Sequence, residues 1–355
     1  MNTNLQRPNL RSPAPAPTPA VPLSLTEQQK INNTLIYYGY SGTGKTREMG
    51  ALADYIFTKT NGKRIRYITC DTGGWQPIQP YIDAGMIDAI NIAGHPDFLL
   101  VFRALSEGYW FDPSGKLVKD PARLADTGLI IVESITSICS EIMGYYREKK
   151  LKFAQDLVAV QQLKAEDSQL SSLPINQSVS AVAQAHYSGL RDELFDRIRD
   201  FQRLLSNGVD LLCFTSHESS GQEKLAGLSR TQLGIGALGQ AISPALPQRF
   251  GDMIHLDTIT VNNKLEYRAY FQPHQDPELK REWPARLRMD AVLNKAILEH
   301  SEFKQGYLVL TDEEDPSARQ GVTKLFRFRD QLQSTAADKI RARMERIRGS
   351  ATPSE

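Results

Sequence analysis

Residues 39–46 read Gly39-Tyr40-Ser41-Gly42-Thr43-Gly44-Lys45-Thr46, a full match to G-x-x-x-x-G-K-[ST]. Nothing else in the chain constrains the fold as tightly. The stretch before it, TLIYYGY (34–40), is short, apolar and β-rich, and TREMGALADYIF (46–57) after it has helical spacing. Strand, glycine turn and helix start thus follow in the order that aims backbone N–H groups and a helix's positive end at one anion. In such a loop Lys45 supplies a point charge for the β- and γ-phosphates, and the Thr46 hydroxyl can ligate Mg²⁺.

The segments that follow alternate between two periods. RIRYITC (64–70), GLIIVES (128–134) and VDLLCFTSH (209–217) are continuous apolar runs, as expected for strands covered on both faces. PDFLLVFRALSEGYW (96–110), ITSICSEIMGYYREKK (135–150) and residues 188–206 have apolar residues three and four apart and predict helices. This alternation predicts an α/β fold with a mainly parallel central sheet flanked by helices. DMIHLDTITV (252–261) and KLEYRAYFQP (264–273), separated by Asn262-Asn263, predict late antiparallel strands in a hairpin. Residues 151–187 read as an insertion of helix and polar loop. Three regions are expected: a disordered Pro/Ala-rich arm over 1–29, an α/β domain over 30–275, and an extension over 276–355. The extension ends in a basic helix, since residues 321–349 hold eight Lys/Arg against three Asp/Glu.

A phosphate loop of this kind needs an acid at the end of a neighbouring strand to hold Mg²⁺. Glu133, ending GLIIVE, is the candidate, and the alternative is a cap for the helix that follows. Asp71, after RIRYITC, is placed to orient an attacking water, and it equally suits the start of a turn with Thr72-Gly73-Gly74. His217 and Glu218 end the third buried strand, where ligands of open α/β sheets bind. His217 could sense the γ-phosphate there, or be an ordinary loop histidine. The remaining histidines are scattered and predict no metal cluster.

Composition excludes several classes. With 42 Lys+Arg against 41 Asp+Glu, the net charge is +1, so any polyanion must be held by local patches. No apolar run approaches the roughly 20 residues of a membrane span, and MNTNLQRPNL lacks an apolar signal core. Cys70, Cys139 and Cys213 lie far apart in apolar surroundings and read as buried free thiols. These features predict a cytoplasmic location and no membrane partner.

Taken in order, GYSGTGKT (39–46), ITCDTGG (68–74), LIIVESIT (129–136), FTSHES (214–219) and PALPQRFGDMIHL (244–256) resemble the RecA-like branch of P-loop NTPases. The chain is more closely similar to small phage-type RecA-like ATPases of single-strand annealing and recombination, over roughly residues 32–275. The resemblance implies a RecA-like fold, ATP and Mg²⁺ as ligands, ATP hydrolysis, single-stranded DNA as partner, and a homo-oligomer. Carried over by position, Gly39, Gly44, Lys45 and Thr46 bind phosphate and Mg²⁺, Glu133 takes the Walker B place, and His217 the strand-end sensor place. Two departures stand out. The family usually has Asp at the Walker B position. It also often carries Asp-x-Glu where this chain has Asp71-Thr72-Gly73, which leaves Glu133 or Glu218 to substitute as catalytic base.

Residues 219–247, rich in glycine, are expected to be a long functional loop that could touch DNA through Lys224 and Arg230, or a plain surface loop. Arg281, Arg286 and Arg288 are candidates for a finger reaching a neighbouring subunit's phosphate, or surface ion pairs. Two rival readings stay open: a packaging or helicase-type motor, and a nucleotide-gated binding module with little hydrolysis.

Overall fold

The computed structural model describes residues 33–71, 76–155, 175–225, 228–237, 242, 245–276, 281–287, 291–310 and 321–349. The expected 1–29 arm, Thr72-Gly73-Gly74 and Arg288 lie outside them, as do the side chains of Lys224, Arg230 and Arg281.

The chain enters the sheet with β1 (Thr34–Gly39), turns through the glycine loop, and continues in helix α1 (Lys45–Lys59). β2 (Arg64–Thr69), the short α2 (Gln79–Asp83) and β3 (Ile87–Asn91) follow, then α3 (Phe98–Ser106). Next come the small hairpin β4 (Tyr109–Phe111)/β5 (Leu117–Lys119), α4 (Pro121–Ala125), β6 (Thr127–Glu133) and α5 (Ile135–Gln155). α6 (Ile175–Leu204) leads into β7 (Leu211–Leu225) and β8 (Leu228–Ile235), and then β9 (Asp252–Val261) and β10 (Lys264–Tyr270). β11 (His274–Asp276), β12 (Arg281–Trp283), α7 (Ala291–Glu299), β13 (Tyr307–Leu310) and α8 (Thr323–Gly349) complete the order.

The expected α/β architecture is the one observed. β3, β2, β6, β7, β1 and β9 lie side by side and parallel, in that order, and β10 and β13 extend the sheet antiparallel. Strand side chains alternate between two cores. Ile36, Tyr38, Ile130 and Val132 face α3, α5 and α6, whereas Leu35, Tyr37, Leu129 and Ile131 face α1, α7 and α8. All three cysteines are buried and free. The β9–β10 turn has Asn262 and Asn263 at φ 50° and 61°, the left-handed pair of a type I′ hairpin.

Several expectations need correction. The helix expected over 96–110 stops at Ser106. Gly108 at φ 88° ends it, and the aromatic run Tyr109–Phe111 pairs with Leu117–Lys119 instead. Residues 219–235 are not a loop. β7 runs on to Leu225 and folds back through β8 from Glu218↔Ile235 to Leu225↔Leu228, so its Ser, Gly and Gln residues are paired in a backbone ladder. β12 then pairs parallel with β8, and β11 with β12. Residues beyond 275 contribute to the same body: β13 pairs with β10, and Val322, Leu325 and Phe326 of the α8 end join the α1 core.

Candidate phosphate-binding site

The motif loop leaves the carboxyl end of β1, the end of a parallel sheet where ligands gather. Two glycines are demanded by geometry. A Cβ on Gly39 would sit 2.1 Å from the Leu256 carbonyl oxygen of the adjacent β9. Gly44, the residue before α1, has φ 90°, a left-handed conformation that side chains resist. Between them Tyr40, Ser41 and Gly42 are exposed, and Thr43 is buried with its hydroxyl donating to the Tyr40 carbonyl at 2.9 Å. Lys45 begins α1 and Thr46 follows in its first turn, the end of a helix whose N–H groups have no partner within it.

Lys45 is buried, and its Nζ donates to the carbonyls of Gly39 at 2.9 Å and Tyr40 at 2.6 Å. Burial lowers its pKa to about 8, against the opposing pull of the Glu133, Glu218 and Asp71 carboxylates. Across from it, Thr46 Oγ1 donates to Glu133 Oε1 at 2.9 Å, and the Tyr67 hydroxyl donates to Glu133 Oε2. Glu133 is 7 % exposed. Burial raises its pKa, and the hydrogen bonds from Tyr67 and Thr46 only partly offset this. Glu133 does not cap α5. Ser134 does, its Oγ accepting from the Ser137 N–H at 3.2 Å. The Glu133–Ser134 peptide is cis.

Asp71 follows β2, beside the Thr69↔Glu133 pair that ends β2 and β6. Its N–H donates to Thr69 Oγ1 at 3.0 Å, and its charge reaches Lys45, Glu133 and His217; the turn expected with Thr72-Gly73-Gly74 lies outside the described residues. His217 ends the β1–β7 ladder opposite Gly39. Burial and then Lys45 lower its pKa, and Asp71 opposes them. Lys45, Thr46, Glu133, Asp71 and His217 are therefore gathered at one sheet end.

Other candidates are not available for the roles considered. Glu218, a possible substitute base, is sealed inside with both oxygens taken by Trp283 and His255. Arg286 is tied down, its Nη2 donating to the carbonyls of Pro247 at 2.5 Å and Phe250 at 2.8 Å. It holds the 246–250 turn, not a surface from which a finger could extend.

Sequence reading missed Tyr67, Thr136 and Ser216. The Thr136 hydroxyl accepts from the His217 N–H at 3.0 Å, and Ser216 Oγ donates to the Gly236 carbonyl at 2.8 Å, which joins the start of α5 and the end of β8 to β7. Tyr67 carried one signal, as a hydroxyl two residues after Ile65 on a buried strand. A separate cavity of about 370 Å³, lined by Tyr55, Lys63, Asp210 and Arg329 among others, holds none of the motif residues.

The donor set fits a hard divalent cation. A hydroxyl and a buried carboxylate meet on one spot, and among the described residues the carboxylate's hydrogen-bond partners are the neutral hydroxyls of Thr46 and Tyr67. Among the described residues there is no group of three or more His, Cys, Asp or Glu side chains placed to hold a metal ion. No helix among them is long and apolar enough to cross a membrane.

No protein-family model and no curated protein matches the chain. Among solved structures, it is similar to the KaiC-like protein PH0186 from Pyrococcus horikoshii OT3, with 14% identity and a TM-score of 0.32. It is also similar to the flagellar accessory protein FlaH from Methanocaldococcus jannaschii, with 12% identity and a TM-score of 0.33. In both cases the match covers 67% of this chain and 77% of the other.

Proposed function

We propose that this chain is a RecA-like ATPase that binds Mg²⁺-ATP at residues 39–46 and acts on DNA as an oligomer. The observation that carries the reading is the meeting of Lys45, Thr46 and Glu133 at the mouth of one glycine-rich strand-to-helix turn. Gly39 to Gly44 would wrap the phosphates with backbone N–H groups, and Lys45 would exchange its two carbonyl partners for phosphate oxygens. Thr46 and Glu133 would hold the Mg²⁺, whose chemistry is to neutralise charge building on the β- and γ-phosphates. His217 would face the γ-phosphate from β7, and Asp71 would orient water. Action on DNA, single-stranded in the first instance, rests on the family resemblance and on the basic α8.

A second reading has its own observation. Of the two glutamates that could substitute as catalytic base, Glu218 is sealed and Glu133 is held by two hydroxyls. That favours slow turnover, with nucleotide binding gating a partner. Phosphate release by the full chain, measured with and without single- and double-stranded DNA, separates the two. DNA-stimulated release supports the ATPase. ATP binding without release leaves the gated module.

A further inference from the structure

Beyond the motif residues, a second cluster of titratable side chains lies under the start of the phosphate loop. β1 pairs with β7 as far as Gly39↔His217 and with β9 as far as Tyr38↔His255. Past those pairs β1 turns away into the loop, which opens a gap one strand wide between β7 and β9. The next residue of β7 spans it. The Glu218 side chain is 1 % exposed, and its Oε2 lies 3.0 Å from Nε2 of the fully buried His255. Its other oxygen, Oε1, accepts from Trp283 Nε1 at 2.9 Å.

The row continues outward. His255 Nδ1 lies 3.1 Å from His274 Nε2. One proton arrangement satisfies it with both imidazoles neutral: His255 donates from Nε2 to Glu218 and accepts at Nδ1 from His274. Tyr38 and Trp283 flank the His255 ring, with centroids at 4.8 and 5.6 Å. With both Glu218 oxygens and both His255 nitrogens used, these two side chains are fixed in one orientation. Directly beside this brace are Gly39 and Tyr40, whose carbonyls hold Lys45.

We infer that Glu218, braced by His255 and Trp283, is a positioning residue for the phosphate loop. It bridges the sheet where β1 leaves, and so fixes the Gly39 and Tyr40 carbonyls that aim Lys45. It touches no phosphate itself. The inference rests on the nucleotide-binding reading.

The test is the equilibrium affinity of the full chain for Mg²⁺-ATP, compared across variants. His255→Leu fills similar space without either nitrogen and weakens binding about tenfold, as expected when a loop that orients a ligand loses its support. His255→Gln can donate to Glu218 and accept from His274, and it recovers most of the loss. Phe303→Leu, a substitution in the other core, serves as a stability control and leaves affinity unchanged. Unaltered affinity in a folded His255→Leu overturns the inference, as does an equal loss in Phe303→Leu. Should His255→Leu fail to fold, Trp283→Phe deletes one donor to Glu218 and keeps a ring. It is expected to weaken binding by a smaller factor, and no loss there overturns the inference. Wild-type chain that does not bind Mg²⁺-ATP removes the nucleotide reading itself, a result separate from all of these.

Discussion

Thr46 Oγ1 donates to Glu133 Oε1 across 2.9 Å, and this bond joins the first turn of α1 to the end of β6, with β7 lying between β6 and β1 in the sheet. Residues 87 apart in sequence thus close one pocket. The sheet order makes this possible, since parallel strands bring their carboxyl ends, and the loops leaving them, to one edge.

Lys45 is costly to the empty protein. Its pKa of about 8 lies below the unfolded value of 10.5, so the unfolded chain binds more protons in that window. Stability therefore rises with pH from about 8 to 10.5 as the buried ammonium loses its charge. Lys45→Met should stabilise ligand-free protein at pH 7 by on the order of 1–3 kcal/mol, read as a higher melting temperature. The same variant should lose ATP binding. A lower melting temperature would show that the two carbonyl bonds outweigh desolvation.

Glu133 has the opposite sign. Its folded pKa is raised, so the stability linked to its protonated form is complete below the ordinary value of 4.5 and is lost as pH rises through the folded value. Glu133→Gln should flatten that part of the stability profile in ligand-free protein. It should also remove the Mg²⁺ dependence of ATP binding, which titrations in Mg²⁺ and in EDTA would read directly. An unchanged response to Mg²⁺ would place the metal ligand elsewhere.

Much of this site was legible because its residues obey local rules. The strand–turn–helix order around residues 39–46 and the acid ending LIIV announce themselves within a few positions of sequence. β8 did not, because Ser229, Thr231 and Gln232 carry little hydrophobic alternation and depend on the ladder to β7. Nor did the Glu218 brace, whose members sit on four different strands and meet only once the sheet is assembled. Arg286 shows the converse: its sequence context suggested a reaching cation, and its backbone bridge to Met253 fixed it inside.

Glu48, one turn past the motif, is buried and accepts from the Val322 N–H at 2.8 Å, which fastens the start of α8 to α1. Glu48→Ala should cost about 1.5–3 kcal/mol, the range for a hydrogen bond to a charged group. Glu48→Gln keeps an acceptor and should cost less. Chemical denaturation of the two variants gives the comparison, and equal losses would assign the effect to packing alone.

Gly39→Ala should be severe for a steric reason, since its Cβ meets the Leu256 carbonyl at 2.1 Å. A loss of about 1–3 kcal/mol or more is expected, as for other overpacked positions. A thermal melt unchanged from wild type would mean that β9 gives way freely at this point.

The most direct measurement is calorimetric titration of Mg²⁺-ATP into the full chain and into Lys45→Ala. Saturable binding by the wild type, with none detectable in a folded Lys45→Ala, is the predicted result. Equal ATP affinity in the two proteins would contradict the account.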